Sequence, residues 1–243
     1  MNILVCENSF VGFLSAVYDS YYGEKSTDVI TSDINEVTLA DSFCASTESL
    51  SKARRVRDGI IKKGGASSYD AVLDAYLSGD KNKEKKIHEF LRLFFKRGKD
   101  SFTAYDRPCV APFNDMVRKV RQEIHRVSAF VRFQEMKNGV YYGYFCSDND
   151  IIERVASFHK RRFNTQKFVL HDYKRCKMAL YDGKELRFSP APEKVEIELS
   201  NDEEKFVSLW RQYTQNVNIE SRENLRQQQN YLPKKYRVFM NEF

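Results

Sequence analysis

The chain of 243 residues holds five cysteines, Cys6, Cys44, Cys109, Cys146 and Cys176, scattered and never spaced as CxxC. An odd, dispersed set excludes a disulfide framework and a cysteine-ligated cluster, and is what a reducing compartment permits. Long apolar runs are missing too. "ILVC" near the start falls far short of the ~20 residues that span a bilayer, and no basic-then-apolar leader precedes it. A cytoplasmic protein with no membrane attachment is therefore expected. The sequence has no P-loop, no nucleophile elbow and no HExxH, and its four histidines are too dispersed to read as a zinc motif. Paired carboxylates for metal-dependent cleavage are lacking. Neither a cofactor nor a metal centre is expected, and no internal repeat or low-complexity tract is visible.

What is present is aromatic and unevenly charged. With 42% hydrophobic and 30% charged residues, 18 Phe and 14 Tyr, the composition is that of a folded protein, long enough for one large domain or two ordinary ones. The formal net charge of +6 hides segregation. Asp19 to Glu48 carries seven acids and one lysine, whereas Arg154 to Lys177 carries eight Lys or Arg and one acid, Asp172. Lys52 to Lys63 adds six cations against Asp58. Segregated positive charge is the footprint of a protein that approaches phosphates, because each neutralised phosphate releases condensed counterions. A solvated basic surface is the simpler alternative.

Hydrophobic periodicity then sets the order of elements. "NILVCE" reads as a short buried strand, and "SFVGFLSAVYDSYY" as a helix capped at Ser9. After the acidic segment, "SKARRVRDGIIKK", "SSYDAVLDAYLSG" and "KNKEKKIHEFLRLFFKRGK" all carry helical spacing. The first two, joined by "GGAS", imitate a helix-turn-helix. Asp70 and Asp74 in the second helix, which has no Lys or Arg, argue against a recognition helix. "RPCVAP" is expected to break regular structure, which divides the chain into a mostly helical part, residues 1–107, and an α+β part, residues 108–243, sharing an interface.

Past that break, Phe113, Met116, Val117, Val120, Ile124 and Val127 form one helical stripe, with Arg118, Arg121 and His125 along its flank. "SAFVRFQEMK" and "VYYGYFC" are two strands joined at Asn138-Gly139. With those two as the central residues of a type I′ turn, Phe133 faces Tyr144 and Arg132 faces Phe145. Gly143 then lies opposite Gln134 and leaves room for a ligand near the backbone. A helix capped at Asp148 or Asn149 follows. Ile151, Ile152, Val155, Ala156 and Phe163 make its buried arc, with His159 in the middle and Arg162 at the edge. "VLHDYKR" ends a strand with His171 and Asp172, an acid and a possible base, beside the cations Lys174 and Arg175. An amphipathic helix built on Phe206, Leu209, Trp210, Tyr213 and Val217 follows, and in the last block Asn224 and Gln228 share a helix face beside Arg222 and Arg226.

"SFVGFLSAVYDSYY", "ARRVRDGIIKKG", "VRQEIHRVSAFVRFQE", "SFHKRRF", "VLHDYKR" and "RENLRQQQNYLPKKY", in that order, resemble successive blocks of the bacterial family called probable DNA metabolism protein. Its C-terminal half resembles a domain of unknown function that also occurs fused behind a uracil-DNA-glycosylase-like domain. The resemblance implies DNA repair or modification alongside a radical-SAM partner similar to spore photoproduct lyase. The chain itself lacks the three closely spaced cysteines of radical-SAM chemistry and a glycosylase's water-activating motif. The expected fold is α+β, with a helical N-terminal half bearing a short strand and a C-terminal half with an antiparallel sheet flanked by helices. The expected function is a DNA-binding accessory factor, with Arg118, Arg121, His125, Arg132, Arg162, Lys174, Arg175, Arg222, Asn224 and Gln228 as nucleic-acid contacts. One alternative is an enzyme acting on a nucleotide or DNA base through His159, Arg162, His171 and Asp172. The other is a scaffold for the radical-SAM partner.

Overall fold

The computed structural model describes residues 2–23, 29–32, 42–193, 195–217, 219, 224–237 and 240. It separates into two units, Met1–Arg121 and Gln122–Phe243. The fold class is α+β, as the periodicities predict.

In the first unit, β1 (Asn2–Cys6) leads into α1 (Phe10–Tyr22), whose N-cap Ser9 accepts a hydrogen bond from Gly12 N–H at 2.8 Å. Two further strands, β2 (Val29–Thr31) and β3 (Ser42–Ser46), lie parallel to β1 on either side of it. Both fall in the acidic segment, where three- and five-residue strands leave too little alternation to be read from sequence. The helices α2 (Leu50–Gly64), α3 (Ala66–Tyr76) and α4 (Lys83–Arg97) match their periodic blocks, and a 3-10 turn (Gly98–Thr103) precedes α5 (Val110–Phe130). The expected break at "RPCVAP" is not complete, because Pro112 sits in the first turn of α5, where a missing N–H leaves no helical bond unmade. The core of this unit is aromatic: the Phe90 and Phe113 rings stack at 3.8 Å, and Phe94 and Phe102 close around them.

The second unit is a five-stranded sheet in the order β4 (Phe133–Glu135), β5 (Tyr141–Phe145), β6 (Phe168–Asp172), β7 (Lys177–Tyr181), β8 (Leu186–Pro190). All neighbours are antiparallel except β5 and β6, which run parallel because α6 (Ile152–Phe163) carries the chain back between them. The expected hairpin register is wrong by one residue. Phe133 pairs with Gly143 and Gln134 with Tyr142, because the loop has three residues and not two. Gly139 N–H bonds to Met136 C=O at 2.9 Å with Gly139 at φ +74°, the left-handed residue that follows a type I turn in a bulged hairpin. The gap foreseen beside Gly143 is consequently filled: a Cβ there would lie 2.9 Å from the Phe133 ring. One face of the sheet thus gathers Phe133, Phe145, Phe168, Leu170, Ala179 and Tyr181 beneath α6, whose Phe163 ring meets Phe133 at 4.8 Å and Phe168 at 5.6 Å. The other face carries Tyr142, Tyr144, Val169 and His171.

The start of α6 is held by a distant residue. Neither Asp148 nor Asn149 caps it; the N-cap position is Ile151, with no side-chain bond. Buried Glu123 on α5 instead accepts from Asp148 N–H at 3.0 Å, Asn149 N–H at 2.9 Å and Asn149 Nδ2 at 2.6 Å. From the far end of the chain, Lys235 Nζ at 3.1 Å and Tyr236 Oη at 3.3 Å donate to the same carboxylate. These two belong to the short helix α9 (Lys234–Arg237), which follows α7 (Asn201–Val217) and α8 (Leu225–Tyr231). Glu123→Ala strands these donors without an acceptor. It is expected to cost about 1–3 kcal/mol, chiefly because the Asp148 and Asn149 donors lose their acceptor while Lys235 is half-exposed, and Glu123→Gln less. Urea midpoints at constant m-value measure both.

Candidate functional site

The free edge of the sheet, β4, is covered by a short pairing. Lys137 N–H donates to Glu198 C=O at 3.0 Å, Ser200 N–H donates to Glu135 C=O at 2.9 Å, and Met136 bridges Leu199. The chain then turns into α7. Ser200 Oγ accepts from Glu203 N–H at 3.1 Å, and the Glu203 carboxylate reaches back to Glu135 N–H at 3.1 Å. Three acids in this first turn suit the positive end of the helix. The apolar spacing that predicts α7 is therefore realised, with Phe206, Trp210 and Tyr213 turned along β4 and α6. None of them is buried: Phe206, Leu209, Trp210 and Tyr213 are 44–66% exposed.

Between α7 and the sheet lies a groove of about 740 Å³. The end of α5 and β4 supply Val131, Arg132 and Phe133; α6 supplies His159, Arg162 and Phe163; β5 supplies Tyr141. Arg132, distant in sequence from His159 and Arg162 on α6, joins them here. The Arg132 guanidinium donates to the Ala129 and Phe130 carbonyls at 3.2 and 3.1 Å, where the last carbonyls of α5 carry the negative end of its dipole. Arg162 is exposed and has no acidic partner among the described residues. Trp210 and Tyr213 stack on one another at 5.6 Å on one wall, and Tyr141 stacks on Phe163 at 6.0 Å across from them.

His159 lies on the groove's inner side, 2% exposed, with its ring 4.9 Å from Phe133 and 5.9 Å from Phe163. Both ring nitrogens are buried without a hydrogen-bond partner. Burial, and after it the charge of Arg162, pushes its pKa down to about 4, so the imidazole is neutral at physiological pH. The helical phase that places His159 inward and Arg162 at the rim is correct. The residues that sequence reading did not connect with them are those of α7, whose apolar stripe forms one side of an open groove.

His171 and Asp172 do not join this site. Neighbours on a strand point to opposite faces, and the His171 ring lies on the face away from α6. There its Nδ1 is 2.7 Å from the Tyr142 hydroxyl, its ring stacks on Tyr173 at 4.2 Å, and Tyr144 meets Tyr173 edge-on. Burial lowers the His171 pKa; burial, and then the Tyr173 hydroxyl, raises that of Tyr142. Asp172 is fully buried, and that burial raises its pKa even with Arg175 opposing it. Its carboxylate accepts from Lys174 N–H and Arg175 Nη1, both at 3.1 Å. Arg175 continues to the Ser147 and Asp148 carbonyls at 3.1 and 2.7 Å, which makes it a brace between two loops. The proposed catalytic set of His159, Arg162, His171 and Asp172 thus does not converge.

The remaining cations and amides are dispersed. Arg118 pairs with Asp115, Arg121 with buried Asp74 at 2.7 Å, and Lys174 with Asp148 at 3.6 Å, while His125 is exposed. Asn224 is the N-cap of α8, accepting from Gln227 N–H at 3.0 Å, and so does not share a helical face with Gln228, which accepts from Arg237 at 3.3 Å. Arg222 lies outside the described residues. Among the described residues, no group of three His, Cys, Asp or Glu side chains is arranged to hold a metal ion, and no helix is long and apolar enough to cross a membrane.

A family model for a domain of unknown function, DUF4130, matches residues 81–242, a span that takes in the sheet and the groove. No curated protein matches the chain.

The buried histidine has a consequence for stability. Its folded pKa of about 4 lies below the ordinary 6.5, so between those values the unfolded chain binds the extra proton and stability falls as pH drops. Replacing His159 with Leu is expected to remove up to about 1.4 kcal/mol per pH unit of that loss across the window. Urea unfolding of both proteins at several pH values between 4 and 7 checks it; parallel curves would show that His159 titrates normally. His88, likewise held near 4 by burial and then Arg92, keeps its own share in both proteins.

Proposed function

We propose that this chain, which belongs to the DUF4130 family of domains of unknown function, is a DNA-binding accessory factor in DNA repair or modification. The observation that carries the proposal is the groove of the second unit, where the guanidinium groups of Arg132 and Arg162 stand beside the exposed rings of Trp210, Tyr213 and Phe206. Cations that track a phosphate backbone next to rings on which bases stack are how proteins hold single strands without reading every base. The net charge of +6 and the basic run from Arg154 to Lys177, which takes in most of α6, favour an anionic partner. The resemblance of the sequence blocks to a DNA metabolism family supplies the repair context and the radical-SAM partner. The enzyme alternative is weaker, because Asp172 is fully engaged by Arg175 and Lys174, and His171 lies on the other face of the sheet from His159.

Binding of labelled single-stranded oligonucleotides, followed by anisotropy from about 50 to 200 mM salt, is expected to weaken steeply as salt rises. Arg162→Ala should lower the salt slope by about 0.7, the counterion release of one single-strand contact, and leave thermal unfolding unchanged. Arg175→Ala should do the reverse: it leaves the slope alone and destabilises by about 2–4 kcal/mol, because Asp172 is left buried without its cation. No binding at the lowest salt would remove the nucleic-acid reading.

A further inference from the structure

We propose, resting on the nucleic-acid reading above, that the groove receives an unpaired nucleobase, which stacks against Trp210 and Tyr213 and takes a hydrogen bond from or to His159. Three observations lead there. The first is the state of His159. A side chain 2% exposed with two unpartnered ring nitrogens is an unusual thing for a protein to keep, because buried polar groups are almost always paired. The imidazole lines the groove with both nitrogens closed to solvent, so a shift of the ring toward the groove brings them to an occupant that supplies what the protein does not.

The second observation is the chemistry that this nitrogen pair selects. A neutral imidazole offers one donor and one acceptor. A phosphate oxygen only accepts, and it would favour a cationic ring, which burial and the neighbouring Arg162 oppose. A base edge presents donors and acceptors together, and either tautomer of His159 finds a match on it. Arg162, exposed at the groove's rim, is left for the phosphate beside that base.

The third is access. In a duplex the bases are stacked and paired, and no base edge can be brought against a side chain so deeply set without unstacking it. The groove, at about 740 Å³, is within the range of about 300–1,000 Å³ that holds small ligands and is far too small for a double helix. Its aromatic wall is open, with Trp210 44% and Tyr213 56% exposed, so a base can reach the rings from solvent. The occupant is therefore a single strand, or a base turned out of a duplex.

Trp210 is the one tryptophan of the chain, so its fluorescence reports on this groove alone. The full-length protein is titrated with a ~10-nucleotide oligothymidylate, with an abasic sugar-phosphate oligomer of the same length, and with a blunt duplex, reading oligomer anisotropy and Trp210 emission together. The oligothymidylate is expected to bind at least about tenfold tighter than the abasic oligomer and to quench Trp210. His159→Leu should bring its affinity down to the abasic level while leaving the abasic affinity unchanged, and His159→Gln, which keeps a neutral donor and acceptor, should recover most of the difference. Should His159→Leu fail to fold, Trp210→Ala, a change at an exposed position, tests the same discrimination by anisotropy. Equal binding of the base-bearing and abasic oligomers, a duplex bound as tightly as the single strand, or binding that leaves Trp210 emission unmoved would each overturn the inference while leaving a backbone-binding protein in place. If no oligomer binds, and an amphipathic peptide alone quenches Trp210, the base inference and the nucleic-acid reading fail together.

Discussion

The carboxylate of Glu123 is the point on which the second unit depends. Asp148 and Asn149 come from the loop between β5 and α6, and Lys235 and Tyr236 from near the end of the chain, more than a hundred residues away in sequence. A single buried acid on α5 thereby fixes where α6 begins. The position of α6 in turn decides that His159 and Phe163 lie over the sheet and that Arg162 comes to the rim of the groove. An uncompensated carboxylate in that place would be expensive, and the donors gathered around it are what make its burial tolerable. Local helix chemistry at the start of α6 is correspondingly poor, with an isoleucine at the N-cap. A tertiary contact has taken over the role that an Asp or Ser cap performs elsewhere.

A similar division of labour separates the two faces of the sheet. Beneath α6 the pairing of Phe133, Phe168 and Tyr181 is a packing solution, with Phe168 fully buried and rings meeting at close range. The opposite face is polar and aromatic at once, with the Tyr142 hydroxyl hydrogen-bonded to the His171 imidazole and the Tyr144 and His171 rings packed on Tyr173. The groove sits at neither face's centre but at the β4 edge, where the sheet would otherwise present unpaired backbone and where the Glu198–Ser200 segment closes it.

Much of this was legible in the sequence, and the failures have identifiable causes. The hundred-degree spacing of a helix suffices to place His159 on the buried arc of α6, because four of the arc's five apolar members, Ile151, Ile152, Val155 and Ala156, are buried and the fifth, Phe163, is half-buried. The hairpin partners were legible and their register was not. Asn-Gly serves equally as the centre of a two-residue turn or as the end of a three-residue bulged loop, and only the backbone at Asn138 distinguishes them. Phe206, Trp210 and Tyr213 carry the spacing of a core-facing helix, yet spacing says that a stripe is apolar and not that anything covers it. The role of Glu123 was hidden because it is made wholly of contacts across the fold, and a lone acid on a helix flank has no local signature. Asp172 and Arg175 misled in the opposite sense: three residues apart at a strand end they look like a reactive cluster, and they turn out to satisfy one another.

The attachment of α7 has a mechanical meaning. Its first turn is tied to β4 through Ser200 and Glu203, and none of its residues is buried. A helix fastened at its root is a lever. Its seventeen residues span about 25 Å, so a rotation of roughly ten degrees at Ser200 carries Val217 through about 4 Å and alters the clearance opposite Phe133 and His159 along the way. The gap between the Trp210 and Tyr213 rings and the imidazole is then a dimension set by the angle of α7 and not by the sheet.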